Sequence, residues 1–251
     1  MASAVETTGT VAALADLPEG RRLLTLAGPD LARLAAPGRF AMLGPAAGWE
    51  PYLRQALPFL RCGQETVSFL FQDDDPRLAW LAGRRLGDGV SLLGPLGQGF
   101  ALQPTARRLL LVALGAEVAP LLALGELALA ESLSVSLLAD GTIGKGLASI
   151  IPDAIELITP SPAGPGEPSP TAWDHLAGLL TWADQVAAAG PPEALQRLAG
   201  LGPRQVDVVS CSATSKDRSP AAWAGVARAS WRPGAGPVEP ARAGRCFAWP
   251  S

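Results

Sequence analysis

A glycine-dense loop followed by a continuous apolar run and then a helical pattern restricts this chain more than any other feature. Gly94-Pro95-Leu96-Gly97-Gln98-Gly99-Phe100 ends a series of short apolar segments. Leu109–Ala113 then forms an unbroken apolar stretch that stops at Gly115 and gives way, from Ala119 onward, to helical spacing. A buried parallel strand, a tight turn and a helix start make the βα geometry that can hold a nucleotide pyrophosphate. The stretch from Gly87 to Leu121 therefore reads as the seam between two domains of different architecture.

Before the seam, the pattern is antiparallel β. Strands are expected at Thr10–Ala15, Arg21–Leu26, Arg39–Leu43, Ala56–Cys62, Thr66–Gln72 and Val90–Leu93. Turn chemistry separates them, as in Leu17-Pro18-Glu19-Gly20 and Gly28-Pro29-Asp30. Strands this short and this closely spaced imply a small closed barrel. Pro76–Arg84 is expected to be a short helix, capped by Asp75 with Pro76 at its first position.

After the seam, strands alternate with helices. The expected order is strand Leu109–Ala113, helix Pro120–Glu131, strand Leu133–Leu138, helix Ile143–Ile151 and strand Ala154–Thr159. A Pro/Gly-rich loop at Pro160–Pro170 is followed by helix Thr171–Ala188, helix Pro192–Ala199 and strand Gln205–Val209. Alternation of this kind implies a parallel sheet covered by helices. From Cys211 the pattern becomes irregular. The fold class is thus α+β in two domains, with a barrel at 1–101, an α/β domain at 102–210 and a small appendage at 211–251.

The formal net charge of −3 over 251 residues, without a Lys/Arg cluster among aromatics, argues against nucleic-acid binding. The N-terminus lacks the basic and apolar regions of a secretory signal, and Glu117, Glu126 and Glu131 interrupt the most apolar stretch, so no membrane span is expected and a cytoplasmic location is. Cys62, Cys211 and Cys246 are widely spaced and read as buried free thiols. His175, the only histidine, reads as a surface or capping residue.

Several segments, in order, resemble the ferredoxin–NADP reductase superfamily, and within it the electron-transfer subunits of dihydroorotate dehydrogenase. They are Pro37-Gly38-Arg39-Phe40-Ala41-Met42-Leu43, Leu53-Arg54-Gln55-Ala56-Leu57-Pro58-Phe59, Leu93–Phe100, Leu111–Leu121, Asp140–Gly146, Trp182-Ala183-Asp184-Gln185 and Ala189-Gly190-Pro191. The resemblance implies FAD on the barrel, NADH on the α/β domain, a 2Fe–2S cluster in the tail, and a catalytic oxidoreductase partner.

The family's flavin motif, similar to Arg-Arg-Pro-x-Ser, lies over Arg54-Gln55-Ala56-Leu57-Pro58. Gln55 stands where the phosphate-binding arginine is expected, with Arg54 beside it, and Pro58 supplies neither hydroxyl nor N–H. The residues implied for flavin contact are Arg54, Gln55, Leu57, Pro58, Gly94, Pro95, Leu96, Gly97 and Gly99. Gly115 is the one glycine kept in a βα turn that the family makes glycine-rich through the equivalents of Ala113, Leu114, Gly115 and Glu117. Glu117 would repel a dinucleotide's phosphates at the helix start, and Ala189 replaces the family's cysteine, so weakened NADH binding is expected. Lys145 either faces an anion or sits in a plain glycine turn.

The cluster ligands of the family fall on Ala222, Ala227, Ser230 and Cys246, leaving one thiol of four, so no cluster is expected. Trp223, Trp231 and Trp249 are read either as filling its space or as belonging to a subunit interface. No catalytic side chain is named, because a flavin carries the chemistry itself. Two functions remain open, an FAD-binding electron-transfer subunit without a cluster or a non-catalytic structural or regulatory subunit that kept the fold, and a third, a reductase using NADH directly with free acceptors, is opposed by Glu117.

Overall fold

The computed structural model describes residues 4–48, 53–73, 75–114, 118–139, 147–160, 172–201, 206–210 and 226–229. The first sheet is built from β1 (Val5–Leu17), β2 (Arg21–Ala27), β3 (Phe40–Pro45), β4 (Gln55–Pro58), β5 (Arg61–Cys62), β6 (Thr66–Gln72) and β7 (Gly89–Leu96). Two short helices, α1 (Pro29–Leu34) and α2 (Ala79–Ala82), accompany it. All pairings are antiparallel, in the order β4-β3-β7-β1-β2-β6-β5.

The segment read as one strand, Ala56–Cys62, serves both edges of this sheet. β4 pairs with β3 at one edge and β5 with β6 at the other. Between them, the Phe59 N–H donates to the Arg39 carbonyl at 3.0 Å and the Leu60 N–H to the Ser68 carbonyl at 2.8 Å. The sheet curls until its edges meet there, which buries Phe59 and Leu60 completely. Leu24, Leu26, Leu43, Leu57, Phe69, Phe71 and Leu92 fill the interior. β7 also runs further than expected, through Gly94, Pro95 and Leu96, because Gly94 has no side chain to hold it off Ala41: a Cβ there would lie 3.2 Å from the Ala41 Cβ.

The second sheet contains β8 (Arg108–Ala113), β9 (Ser134–Ala139), β10 (Ile155–Ile158), β11 (Gln185–Gly190), β12 (Val206–Ser210) and β13 (Val226–Ala229). Its order is β10-β9-β8-β11-β12-β13, parallel except for the antiparallel edge strand β13. Helix α3 (Ala119–Ala130) covers one face. Helices α4 (Ala172–Trp182) and α5 (Pro192–Leu201) cover the other. Odd residues of β8, Leu109, Leu111 and Ala113, face α3, whereas Leu110 and Val112 face α4 and α5. A strand buried on both faces reads as a continuous apolar run, which is why β8 was legible.

The expected helix Thr171–Ala188 is corrected: α4 ends at Trp182 and the chain enters β11, a central strand buried at every position. Pro76–Arg84 contracts to α2, although Asp75 does accept the Arg77 N–H at 3.0 Å. Of Ile143–Ile151, the described part holds a 3-10 turn at Ala148–Ile150. No helix among the described residues is long and apolar enough to cross a membrane.

Candidate functional site

Among the described residues, apolar contacts and polar ties from Arg61 and Gln185 join the two halves. Phe40, Ala56, Leu60 and Phe100 of the barrel share one buried cluster with Leu109, Leu111 and the α3 residues. Arg61 on β5 reaches the other domain: its Nε donates to Glu126 Oε1 at 2.7 Å and its Nη2 to the Ile150 carbonyl at 2.6 Å. Gln185, at the start of β11, holds the linker. Its Oε1 accepts the Gln103 N–H at 3.0 Å and its Nε2 donates to the Ala101 carbonyl at 2.8 Å. Neither tie was legible in the sequence, where the partners are far apart and no motif marks them.

Most of the residues implied for flavin contact come together around the start of β3. Phe40 lies opposite Pro58 on one side and Leu96 on the other, and Ala41 lies opposite Leu57. Gly94, Pro95 and Leu96 thus sit two strands away from Leu57 and Pro58, across β3. Leu57 turns into the barrel interior and is 1% exposed. Gly97 needs its glycine for a φ of +79°, and Gly99 packs its bare Cα on the Pro37 carbonyl, where a Cβ would come within 2.9 Å. The stem of Arg39 runs against Gly99, and its Nε is buried without a hydrogen-bond partner.

Arg54 stands at the other end of the ladder. It crosses Gly44, whose missing side chain makes room for it, and its Nη2 pairs with Glu6 Oε1 on β1. Ser91 Oγ donates to the same carboxylate oxygen at 3.4 Å. Running from Arg39 to Gly44 at about 3.4 Å per residue, β3 separates the two arginine stems by about 17 Å.

Arg54 decides how an FAD would fit. Its Nη1 is buried with no hydrogen-bond partner, a charged donor that an acceptor oxygen would satisfy. Gln55 contributes less, since its Nε2 already donates to the Leu53 carbonyl at 3.2 Å. Glu6 and Ser91 were missed by sequence reasoning, because they become neighbours of Arg54 only through the strand order β4-β3-β7-β1.

Cys62 is half-buried and its thiol is pushed up to about 12, first by burial and then by the Glu126 charge, so it is no nucleophile at neutral pH. No group of three or more His, Cys, Asp or Glu among the described residues could hold a metal ion. His175 is exposed on α4. Gly115, Glu117, Lys145, Ala222, Trp223, Ser230, Trp231, Cys211, Cys246 and Trp249 lie outside the described residues, whereas Ala227 pairs with Val208 in the β12–β13 ladder.

Asp184 closes α4 and opens β11. Its Oδ2 accepts the backbone N–H of Arg107 at 3.1 Å and of Arg108 at 3.0 Å, and its Oδ1 accepts from Arg108 Nη2 at 3.1 Å. The Arg108 side chain and then the Arg107 amide hold its carboxyl down to about 2, against an ordinary value of 3.8. A depressed carboxyl stabilises the fold above its unfolded value, and that contribution is lost as pH falls through the folded one. An Asp184→Asn variant should therefore be less stable than the wild type at neutral pH, with the gap closing between about pH 4 and pH 2. Urea unfolding across that range measures it; a gap that stays constant down to pH 2 rules the assignment out.

No protein-family model matches the chain. The chain is 35% identical over 116 residues to the dihydroorotate dehydrogenase B (NAD(+)) electron transfer subunit of Bacillus caldolyticus, a match covering 45% of each chain. It is 33% identical over 116 residues to the subunit of the same description from Bacillus cereus (strain B4264), again covering 45% of each. The matched segment thus spans a little under half the length of these curated relatives. Among solved structures, the ferredoxin reductase in carbazole 1,9a-dioxygenase superposes with a TM-score of 0.61 at 19% identity, covering 79% of this chain and 66% of that one. Phthalate dioxygenase reductase superposes with a TM-score of 0.60 at 14% identity, covering 84% and 70%. A curled antiparallel sheet followed by a parallel sheet, with these neighbours, is the two-domain fold of ferredoxin–NADP reductase-like proteins, and dihydroorotate dehydrogenase electron-transfer subunits are relatives of this chain.

Proposed function

We propose that this chain is an FAD-binding electron-transfer subunit. It would pass electrons between a nicotinamide nucleotide or another acceptor and a catalytic oxidoreductase partner of the dihydroorotate dehydrogenase kind, without an iron–sulfur cluster. The similarity to electron transfer subunits supports the role, and the unpartnered Nη1 of Arg54 is the observation that carries the cofactor. Bound flavin would supply the redox chemistry itself, one or two electrons at a time. The chain's own residues bind and orient: Arg54 offers a charged N–H to a phosphate oxygen, and the Gly94–Gly99 segment brings backbone close to the ligand. Methyl groups at Ala222 and Ala227 and a hydroxyl at Ser230 leave Cys246 alone among the four ligand positions, and iron–sulfur clusters are ordinarily held by four thiolates.

The purified protein should be yellow, with flavin absorption and no stoichiometric iron or acid-labile sulfide. Arg54→Ala should weaken FAD binding by about 10- to 100-fold, the worth of one charged hydrogen bond, read from quenching of FAD fluorescence by the apoprotein. Iron and sulfide bound at two per chain would sink the cluster-free reading. The second reading, a non-catalytic subunit that kept the fold, is favoured by the Glu6 carboxylate already on Arg54 and by the absence of an N–H at Pro58. A colourless protein that does not take up FAD selects it.

A further inference from the structure

Arg54 lies across the outer face of the barrel, on a path paved with small residues. Leu43 and Leu92 belong to the barrel core, so their chain neighbours Gly44 and Ser91, which are also cross-strand partners, face outward. A Cβ on Gly44 would lie 3.0 Å from Arg54 Cγ, and the arginine stem therefore rests on bare backbone. Beyond Ser91 the strand order brings in β1. There Glu6 Oε1 receives Nη2 of Arg54, and Ser91 Oγ donates to the same oxygen at 3.4 Å.

The chain thus supplies its own anion to this guanidinium. The side chains of Glu6 and Arg54 are 64% and 29% exposed, and an ion pair so open to water contributes little to stability. Its consequence falls instead on any second anion that comes to Arg54. Nη1 is the nitrogen left without a partner. A phosphate oxygen accepting from Nη1 would face, about 5 Å away, a carboxylate held on the neighbouring nitrogen of the same group, where like charges repel enough to weaken binding at least about fourfold even in water.

We propose that Glu6 is an internal competitor for Arg54 and sets the affinity of this chain for phosphate-bearing flavins. A flavin phosphate reaches the guanidinium only against the charge of a carboxylate that already shares it. The role assigned to Glu6 rests on the reading of Arg54 as the phosphate contact, and adds to it a residue on another strand that lowers affinity instead of raising it.

Glu6→Gln tests it, because the carboxamide oxygen still accepts from Nη2 while the charge is gone; Glu6→Ala takes its place should circular dichroism show the glutamine variant unfolded. Fluorescence titrations of the full-length apoprotein with FAD and with riboflavin, which carries no phosphate, give the readout. FAD should bind the variant at least about fourfold tighter than the wild type, and riboflavin affinity should stay within about twofold. A wild type blank to FAD should gain FAD binding on the substitution. Unchanged or weaker FAD binding overturns the proposal, and so does an equal gain for riboflavin, which would trace the effect to the shape of the site and not to charge. A wild type and variant both blank to FAD overturn it as well. The visible spectrum of the wild type keeps the two questions apart. A yellow wild type with no gain in the variant keeps the flavin and defeats the role of Glu6, whereas a colourless wild type whose variant takes up FAD does the reverse.

Discussion

Replacing Gln185 with leucine should destabilise the fold by about 1–3 kcal/mol, because the half-buried Gln103 N–H and the exposed Ala101 carbonyl lose their side-chain partner at once. Gln185 is 1% exposed, so its own amide is held away from water. Leucine matches the volume closely enough that no cavity opens, which isolates the polar loss. The Gln103 N–H is left without the amide, and an unsatisfied donor held away from water costs about 1–3 kcal/mol, whereas the exposed Ala101 can offer its carbonyl to water. The effect should also be local. The amide proton of Gln103 should exchange with solvent far faster in the variant, while the β8 amides keep their protection. Urea unfolding gives the first quantity and hydrogen exchange the second. A variant that loses less than about 1 kcal/mol and keeps Gln103 protected would show that the apolar contact of Phe40, Ala56, Leu60 and Phe100 with α3 holds the linker by itself. A large loss with an exposed Gln103 would make Gln185 the residue that fixes the linker between the barrel and the parallel-sheet half.

That tie illustrates where the sequence stops being readable. β8 was legible because a strand buried on both faces must be apolar throughout, and Leu109–Ala113 has no other reading at that length. The helix α3 was legible for the same reason, being buried along most of its length. β11 was not. Gln185-Val186-Ala187-Ala188-Ala189 carries three alanines, the best helix former, directly after a genuine helix. Just past α4, the Asp184 carboxylate accepts the backbone N–H groups of Arg107 and Arg108 from 77 and 76 residues away. A partner at that distance exists only once the sheet exists. The same holds at Arg54: its position in the motif could be read, but Glu6 lies 48 residues upstream on a strand three places away in the sheet. The short α1 was read as a turn, since Gly28-Pro29-Asp30 fits either a turn or a helix start of only six residues. The glycine segment was read as a loop up to Phe100, although its first half continues β7. A missing side chain permits close strand pairing as readily as it permits a turn, and the choice lies with Ala41 on the neighbouring strand.

Gly38→Ala should cost about 2–5 kcal/mol, the sum of a left-handed backbone penalty of about 1–2 and an overpacking penalty of about 1–3. Gly38 has a φ of +76°, a conformation that an L-residue with a side chain resists. An added Cβ would lie 2.6 Å from Phe100 Cδ2 and 3.0 Å from Cε2. Phe100 cannot withdraw freely. Its N–H donates to the Pro37 carbonyl at 2.8 Å, which ties its backbone to the residue just before Gly38, and its ring is 8% exposed within the cluster that joins the two halves of the molecule. Relief must therefore come from moving the ring into that cluster or from shifting the start of β3, where Arg39, Leu96 and Pro58 converge. Either movement disturbs the backbone proposed to lie against a flavin. The variant should show a lower urea midpoint together with weaker FAD uptake, whereas Gly48→Ala, with a φ of +89° but open space around its added carbon, should carry the backbone penalty alone. Equal losses at the two glycines would mean that Phe100 yields without resistance. A loss at Gly38 larger by 1 kcal/mol or more, roughly the low end of an overpacking penalty, would locate the added cost in that ring and in the junction it fills.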